Sequence, residues 1–257
     1  MTAAQFWADE LAAWAIPPEI LAAAPESPYG FPPELFGGRE AGPDLLARAA
    51  EALPAGGSVL DVGVGGGAAS LPLAGAAGRV TGVDSSAEML TAFSAAAADR
   101  GVPYDTVPGR WPDVADSVGP ADVVVCAHVF YNVADLPDFA RALAGHARRR
   151  VVVELTGTHP WVPLAPLWRH FHGGERPAGP DADLAVAVLR EVGLPVRSTR
   201  RPRPRRWRPE DRPAVVAFTR RRLCLPPERE PEVDRLVGDP DELMAGDLVT
   251  LWWDRGR

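Results

Sequence analysis

A short β-prone run, VLDV at residues 59–62, opens directly into Gly63, Gly65, Gly66 and Gly67, four glycines within five positions. Glycines so close together cost backbone entropy unless the chain must turn sharply or let a ligand approach its backbone. The run therefore predicts a tight turn at the carboxyl end of a buried strand. In an open α/β sheet that is where ligands bind. Few other folds tolerate such a junction in the middle of a chain.

The flanking sequence continues the pattern. SVLDVG, RVTGVD, VPYDTVPG, ADVVVCAHV and RRVVVELTG read as successive strands, nearly continuous in apolar character. Between them lie helical stretches, including SSAEMLTAFSAAAADR with Ser85 or Ser86 as cap, and DLPDFARALAGHA capped by Asp135. Strands apolar throughout and alternating with helices predict a parallel sheet covered on both faces. A helix is expected from about Gly67 to Ala77. The segment after the fifth strand, THPWVPLAPLWRHFHGGERPAGP, reads as irregular. A helix over about residues 181–192, an Arg-rich edge strand, two helices over about residues 209–239 and a terminal DLVTLWW strand complete the chain. The division expected is an N-terminal helical and aromatic cap over 1–41 and a single domain over 42–257.

Composition excludes several classes. Lys+Arg 27 against Asp+Glu 34 gives a net charge of -7, which disfavours a general nucleic-acid binder. Every basic residue is arginine, so lysine chemistry such as Schiff-base formation is excluded. Cys126 and Cys224 cannot build a disulfide framework or a zinc site, and no metal site is expected. No apolar run approaches the roughly 18 residues of a membrane span, and the start lacks a signal-peptide pattern. A cytoplasmic location is expected.

Two ligands compete for the glycine turn. Gly63, Gly65 and Ala68 satisfy the dinucleotide fingerprint G-x-G-x-x-G/A. Asp61, two residues before the first glycine, argues against it, because a carboxylate aimed at the turn would repel a pyrophosphate. It suits a cationic group. Asp84, 17 residues past the last glycine, can accept hydrogen bonds from ribose hydroxyls. A ligand with a ribose and a cation but no phosphate fits, and S-adenosyl-L-methionine is one.

DVGVGGG followed by VTGVD resembles the cofactor loop of the class I S-adenosylmethionine-dependent methyltransferases. ADVVVCAHVFYNVADLPDFARAL is similar to that family's fourth strand and following helix. The resemblance spans about residues 42–155. It implies a Rossmann-like three-layer α/β sandwich whose seven-stranded, mostly parallel sheet has the order 3-2-1-4-5-7-6, the last strand antiparallel. It further implies methyl transfer from S-adenosylmethionine to a small organic acceptor. On this resemblance Asp61, Gly63, Gly65 and Gly67 hold the methionine part of the cofactor, and Asp84 the ribose. Ser85 and Met89 lie beside the adenosine, Arg110 and Trp111 near the adenine, and Cys126 and Ala127 beside the sulfonium. The family's usual acid after the third strand is replaced here by Gly109-Arg110-Trp111.

A hydroxyl or protonated-amine acceptor also needs a base, and histidine titrates near neutrality. His128 after the fourth strand and His159 after the fifth are the candidates. His146 is expected at the surface, and His170 and His172 on a solvated loop. Trp14, Tyr131, Trp161 and Trp168, with Trp7 and Phe31, are candidates to enclose an acceptor or to pack the N-terminal cap. The run 197–208 holds seven arginines in twelve residues, with Trp207 placed to stack a base, so RNA methyl transfer is the rival activity. Prolines at 202 and 204 also suit an edge strand protected by charge. A non-catalytic S-adenosylmethionine-binding protein is the rival of a different class.

Overall fold

The computed structural model describes residues 1–30, 35, 41–205 and 207–255. Phe31, named above, and residue 206 of the arginine run lie outside the described residues.

Seven strands form one sheet: β1 (Gly57–Val62), β2 (Ala77–Asp84), β3 (Tyr104–Pro108), β4 (Ala121–Ala127), β5 (Ala147–Thr156), β6 (Arg197–Pro202) and β7 (Asp247–Asp254). Their order is β3-β2-β1-β4-β5-β7-β6, as the resemblance implied. β7 runs antiparallel to both β5 and β6, and the remaining pairs are parallel.

Side chains alternate across the sheet and feed two cores. Leu60, Val62, Val124, Cys126, Val151, Val153 and Trp253 face one layer. Val59, Val123, Val125, Val152 and Trp252 face the other. The neighbouring tryptophans of β7 thus divide between the two faces. The second layer is closed by α3 (Pro43–Ala52) and α4 (Ala87–Asp99). The first is closed by α5 (Leu136–His146), α7 (Ala182–Glu191) and the N-terminal α1 (Ala3–Ala12). Trp7 of α1 is fully buried there, its indole N–H donating to the Val133 carbonyl at 2.8 Å.

A third core gathers Ile16, Leu164, Trp168, Val216, Leu223 and Val233 from chain segments distant in sequence. Its elements include α6 (Ala165–His172), α8 (Arg212–Arg222) and α9 (Glu230–Val237), with α2 (Pro18–Ala23) and α10 (Pro240–Leu243) beside them.

Two expectations are corrected. No α-helix follows the glycine turn: residues 65–70 form successive turns, and a short 3-10 helix covers Leu71–Leu73. Pro72 lacks the N–H an α-helix needs, and β2 begins at Ala77. The supposedly irregular segment after β5 contains α6, bracketed by Pro166 in its first turn and by Gly173, whose φ is 73°. Proline inside the start and glycine past the end are helix signals, obscured here by the surrounding prolines. No helix among the described residues is long and apolar enough to cross a membrane.

Candidate active site

β1 ends at Val62, and Gly63 turns the chain with φ 73°, its N–H donating to the Val83 carbonyl at 2.8 Å. A Cβ on Gly63 would lie 2.3 Å from Val129 Cγ2, so no side chain fits between the turn and the segment after β4. Gly65 has φ 49°, and no atom would lie within 4 Å of a Cβ there. Its N–H donates to Asp84 Oδ2 at 2.9 Å, while Ser86 N–H donates to Asp84 Oδ1 at 2.9 Å. The carboxylate at the end of β2 is thereby fixed to the turn and to the start of α4. Each oxygen keeps a lone pair for a further donor. Ser86, not Ser85, caps α4, accepting from the Met89 N–H. Ser85 is exposed and Met89 half-buried at this rim.

Asp61 is only 1% exposed and accepts a 2.6 Å hydrogen bond from Ser70 Oγ. Burial, assisted by the charge of Asp84 and opposed by Ser70, pushes its pKa up to about 7. A cation in the crevice would favour the carboxylate form. Buried at 1% exposure and bonded to Ser70, Asp61 would act on a ligand in the crevice chiefly through its field. A fixed ribose-type acceptor, a buried acid and open space over Gly65 fit a cationic nucleoside.

The mouth of β4 is built differently. Cys126 is fully buried, and burial together with the charge of Asp61 pushes its thiol pKa well up, so it packs inward. Ala127 follows, half-buried and in register with Glu154 on β5. His128 then takes φ 60°, a left-handed conformation costing a non-glycine residue about 1–2 kcal/mol. Its N–H donates to the Glu154 carbonyl at 2.7 Å, and Nε2 stands 3.4 Å from Glu154 Oε1. The His128 side chain is 41% exposed, whereas that of Glu154 is 1% exposed. The sequence reading missed Glu154. The signal was available: one acid inside VVVEL, an otherwise apolar strand.

Trp111 is buried in the core, edge-on to His146 at 4.8 Å. His146 is in turn half-buried, bonded through its ring nitrogens to the carbonyls of Ala142 and Ala115. The surface position expected for it is not observed. Arg110 is exposed and reaches toward the Asn132 carbonyl at 3.5 Å.

The aromatic residues pack against one another. Trp14 stacks on His159 at 4.2 Å and meets Trp161 edge-on at 6.4 Å. Tyr131 stacks on Trp7 at 5.6 Å and donates its hydroxyl proton to the Thr156 carbonyl at 2.7 Å. Trp168 is buried beneath the Arg176 guanidinium at 4.6 Å. Of the two roles expected for these aromatic residues, packing of the N-terminal cap is the one these contacts display. His159 lies among them at 7% exposure. Burial, with Arg176 and Arg222 nearby, lowers its pKa to about 3. It is a weak base at neutral pH, and its catalytic assignment is withdrawn.

His170 and His172 sit on α6, not on a loop. His170 pairs with Glu232 at 2.9 Å, and His172 bonds the Leu223 carbonyl at 2.8 Å. No group of three or more metal-ligating side chains occurs among the described residues. The arginine run is largely neutralised: Arg197 pairs with Asp254, Arg200 with Asp183 and Asp247, Arg201 with Asp44, and Arg205 with Asp239. A cavity of ≈ 290 Å³ beside it is lined in part by Arg203, Arg205, Trp207, Asp241 and Met244.

Residues 59–150 match the family described as methyltransferase domain. Two curated relatives are ubiquinone biosynthesis O-methyltransferases. That of Methylobacterium sp. (strain 4-46) is 36% identical over 94 residues, covering 37% of this chain and 38% of the relative. That of Methylobacterium nodulans is 37% identical over 84 residues, covering 33% and 34%. The chain thus matches little more than a third of the length of either. Among solved structures, magnesium protoporphyrin IX methyltransferase from Synechocystis PCC 6803 with bound SAH aligns at TM-score 0.55. It is 15% identical, covering 87% of this chain and 92% of that one. A cyclopropane-fatty-acyl-phospholipid synthase-like protein from Lactobacillus casei ATCC 334 aligns at TM-score 0.54. It is 18% identical, covering 81% and 89%. Residues 59–150 are thus similar to a methyltransferase domain, and the seven-stranded sheet around them shares its fold with these solved structures.

Proposed function

We propose that this protein is an enzyme that transfers the methyl group of S-adenosyl-L-methionine to a hydroxyl of a small organic acceptor. The observation that carries the reading is the Asp84 carboxylate, pinned by Gly65 and Ser86 beside the open turn, with Asp61 buried behind it. When bound, the cofactor supplies a methyl group already activated on a sulfonium. Asp84 accepts the ribose hydroxyls. Gly65, open on its Cβ side, lets the methionine part lie against the backbone, Gly63 and Gly67 give the turn its close packing on Val129, Leu71 and Phe93, and the field of Asp61 favours the positive charge. Ser85, Met89 and Arg110 border the adenosine, and Ala127 borders the sulfonium. The oxygen acceptor is suggested by the O-methyltransferase names of the two relatives. Such a hydroxyl must lose a proton, and His128 is the partly exposed base at the mouth of β4. Holding the partners in line supplies much of the remaining acceleration.

Residues 1–41 act as a cap on the domain formed by 42–257. Both cysteines are unpaired, in keeping with a reducing compartment such as the cytoplasm. The pairing of the arginine run with acids speaks against a nucleic-acid acceptor, and the partly exposed His128 speaks against a purely binding role. Titration calorimetry tests the reading. Micromolar binding of S-adenosylmethionine and its demethylated product is expected, with no heat from a dinucleotide. Binding of the dinucleotide alone would replace it with the other glycine-turn reading.

A further inference from the structure

Glu154 is the best-placed group that the reading above leaves without a task. It occupies β5, a central strand between β4 and β7 whose carboxyl half is buried on both faces, where an acid is costly unless satisfied. Its Oε1 accepts the Gly42 N–H at 3.1 Å, at the start of α3. Its Oε2 is buried with no hydrogen-bond partner among the described residues. A Cβ on Gly42 would lie 2.2 Å from that oxygen, so the backbone of Gly42 closes the carboxylate off from one side. On another side stands the His128 imidazole, Nε2 to Oε1 3.4 Å. The same two residues are joined through the backbone by the 2.7 Å bond from His128 N–H to the Glu154 carbonyl. Main chain and side chain of Glu154 thus both act on His128, whose left-handed φ they hold.

We propose that Glu154 is a positioning residue that orients His128, keeps its proton on Nε2 and stabilises the imidazolium formed when Nδ1 takes the acceptor's proton; this rests on the reading of His128 as the base. In the balanced step, the acceptor oxygen forms its bond to the methyl carbon as the carbon–sulfur bond breaks, its electron pair staying on sulfur. The hydroxyl proton passes to Nδ1 of His128 and later leaves to water. A base oriented by a second group that is itself buried is a recurring arrangement for activating a nucleophile. The other charged groups around the pair come from different elements. Arg203, after β6, interacts with Glu154. Asp44 of α3 is engaged by Thr199 and Arg201. Asp61 of β1 is bonded to Ser70. The charge facing the His128 ring at 3.4 Å is that of Glu154.

The test is an NMR titration of His128 in the full-length protein, its ring signals assigned by their loss in His128→Asn. In Glu154→Gln the ring nitrogen shifts of His128 should move toward a mixture of the two neutral tautomers, because the carboxylate facing Nε2 is removed. Ring nitrogen shifts identical to those of the wild type overturn the proposal. Should that variant not fold, the wild-type protein answers by itself. Ring nitrogen shifts above the midpoint should show the Nε2–H tautomer, and a dominant Nδ1–H form overturns the proposal. Neither readout needs the acceptor or the cofactor. Calorimetry that found no S-adenosylmethionine binding would therefore sink the functional reading, while the titration judged Glu154 separately.

Discussion

The sheet half around β1, β2 and β4 and the helical cover over its carboxyl edge are held together by different physics. In the sheet half the backbone does most of the holding: strand ladders, glycine turns and carboxylates that accept backbone N–H groups. In the cover, arginines do it. Arg220, 7% exposed, reaches Glu26, Glu230 and the Leu225 carbonyl. Arg222 donates to the carbonyls of Pro28 and Gly30, and Arg176 to those of Trp14 and Ala15. Guanidinium groups satisfy loop carbonyls that no ladder satisfies. A backbone-built region is therefore sensitive to side-chain volume, and an arginine-built region to lost donors.

The largest effect is expected at the turn. Gly63→Val would combine a left-handed β-branched residue with the overlap on Val129. A loss of about 2–5 kcal/mol is expected in denaturant unfolding, and the variant should not bind S-adenosylmethionine. Arg220→Met should cost about 2–3 kcal/mol through its charged hydrogen bonds. Hydrogen exchange should place the loosening in residues near 16–30 and 212–237. Cofactor affinity should change less than twofold, and an equal loss at both ends of the molecule would break the contrast. Asp84→Ala should weaken cofactor binding by about 1–3 kcal/mol, measured by calorimetry. Unchanged affinity would remove Asp84 from the site.

The smallest effect separates the halves by pH. Asp61 has a folded pKa raised to about 7, so the folded state binds the extra proton. Its contribution to stability is present at acid pH and is lost as pH rises from the ordinary carboxylate range through about 7. His159 has a folded pKa lowered to about 3. Its contribution is present above the unfolded value near 6.5 and is lost as pH falls toward 3. Across the pH range between them the two act with opposite sign: Asp61→Asn should remove a loss of stability as pH rises toward 7, and His159→Phe a loss as pH falls toward 3. Binding of the cationic cofactor should also release protons near pH 7, read as buffer-dependent heat, and Asp61→Asn should abolish that release. Identical profiles for both variants would remove the distinction.

Legibility divided along the same line. The strand order, the Ser86 and Asp135 caps and the place of Asp84 at the end of β2 could be read because each depends on neighbours a few residues away or on a recurrent motif. The helix expected after the turn failed on Pro72, a local signal overridden by the glycine pattern. Helix α6 was hidden by prolines that turned out to lie at its start. The roles of His159 and Trp111 depended on burial against segments more than thirty residues away, which periodicity does not reveal. Glu154 stood in plain view, but its meaning required His128 and Gly42 beside it.

The sequence by itself determined the sheet, the glycine turn and the two acids beside it, because strand periodicity and backbone permissiveness are properties of adjacent residues. Only the tertiary structure decided which histidine keeps solvent, which aromatic residues pack and where a buried acid finds its partner. Desolvation and charge proximity come from the whole fold, and they leave one histidine, at 128, open to solvent beside an acid and pack another, at 159, among aromatic rings.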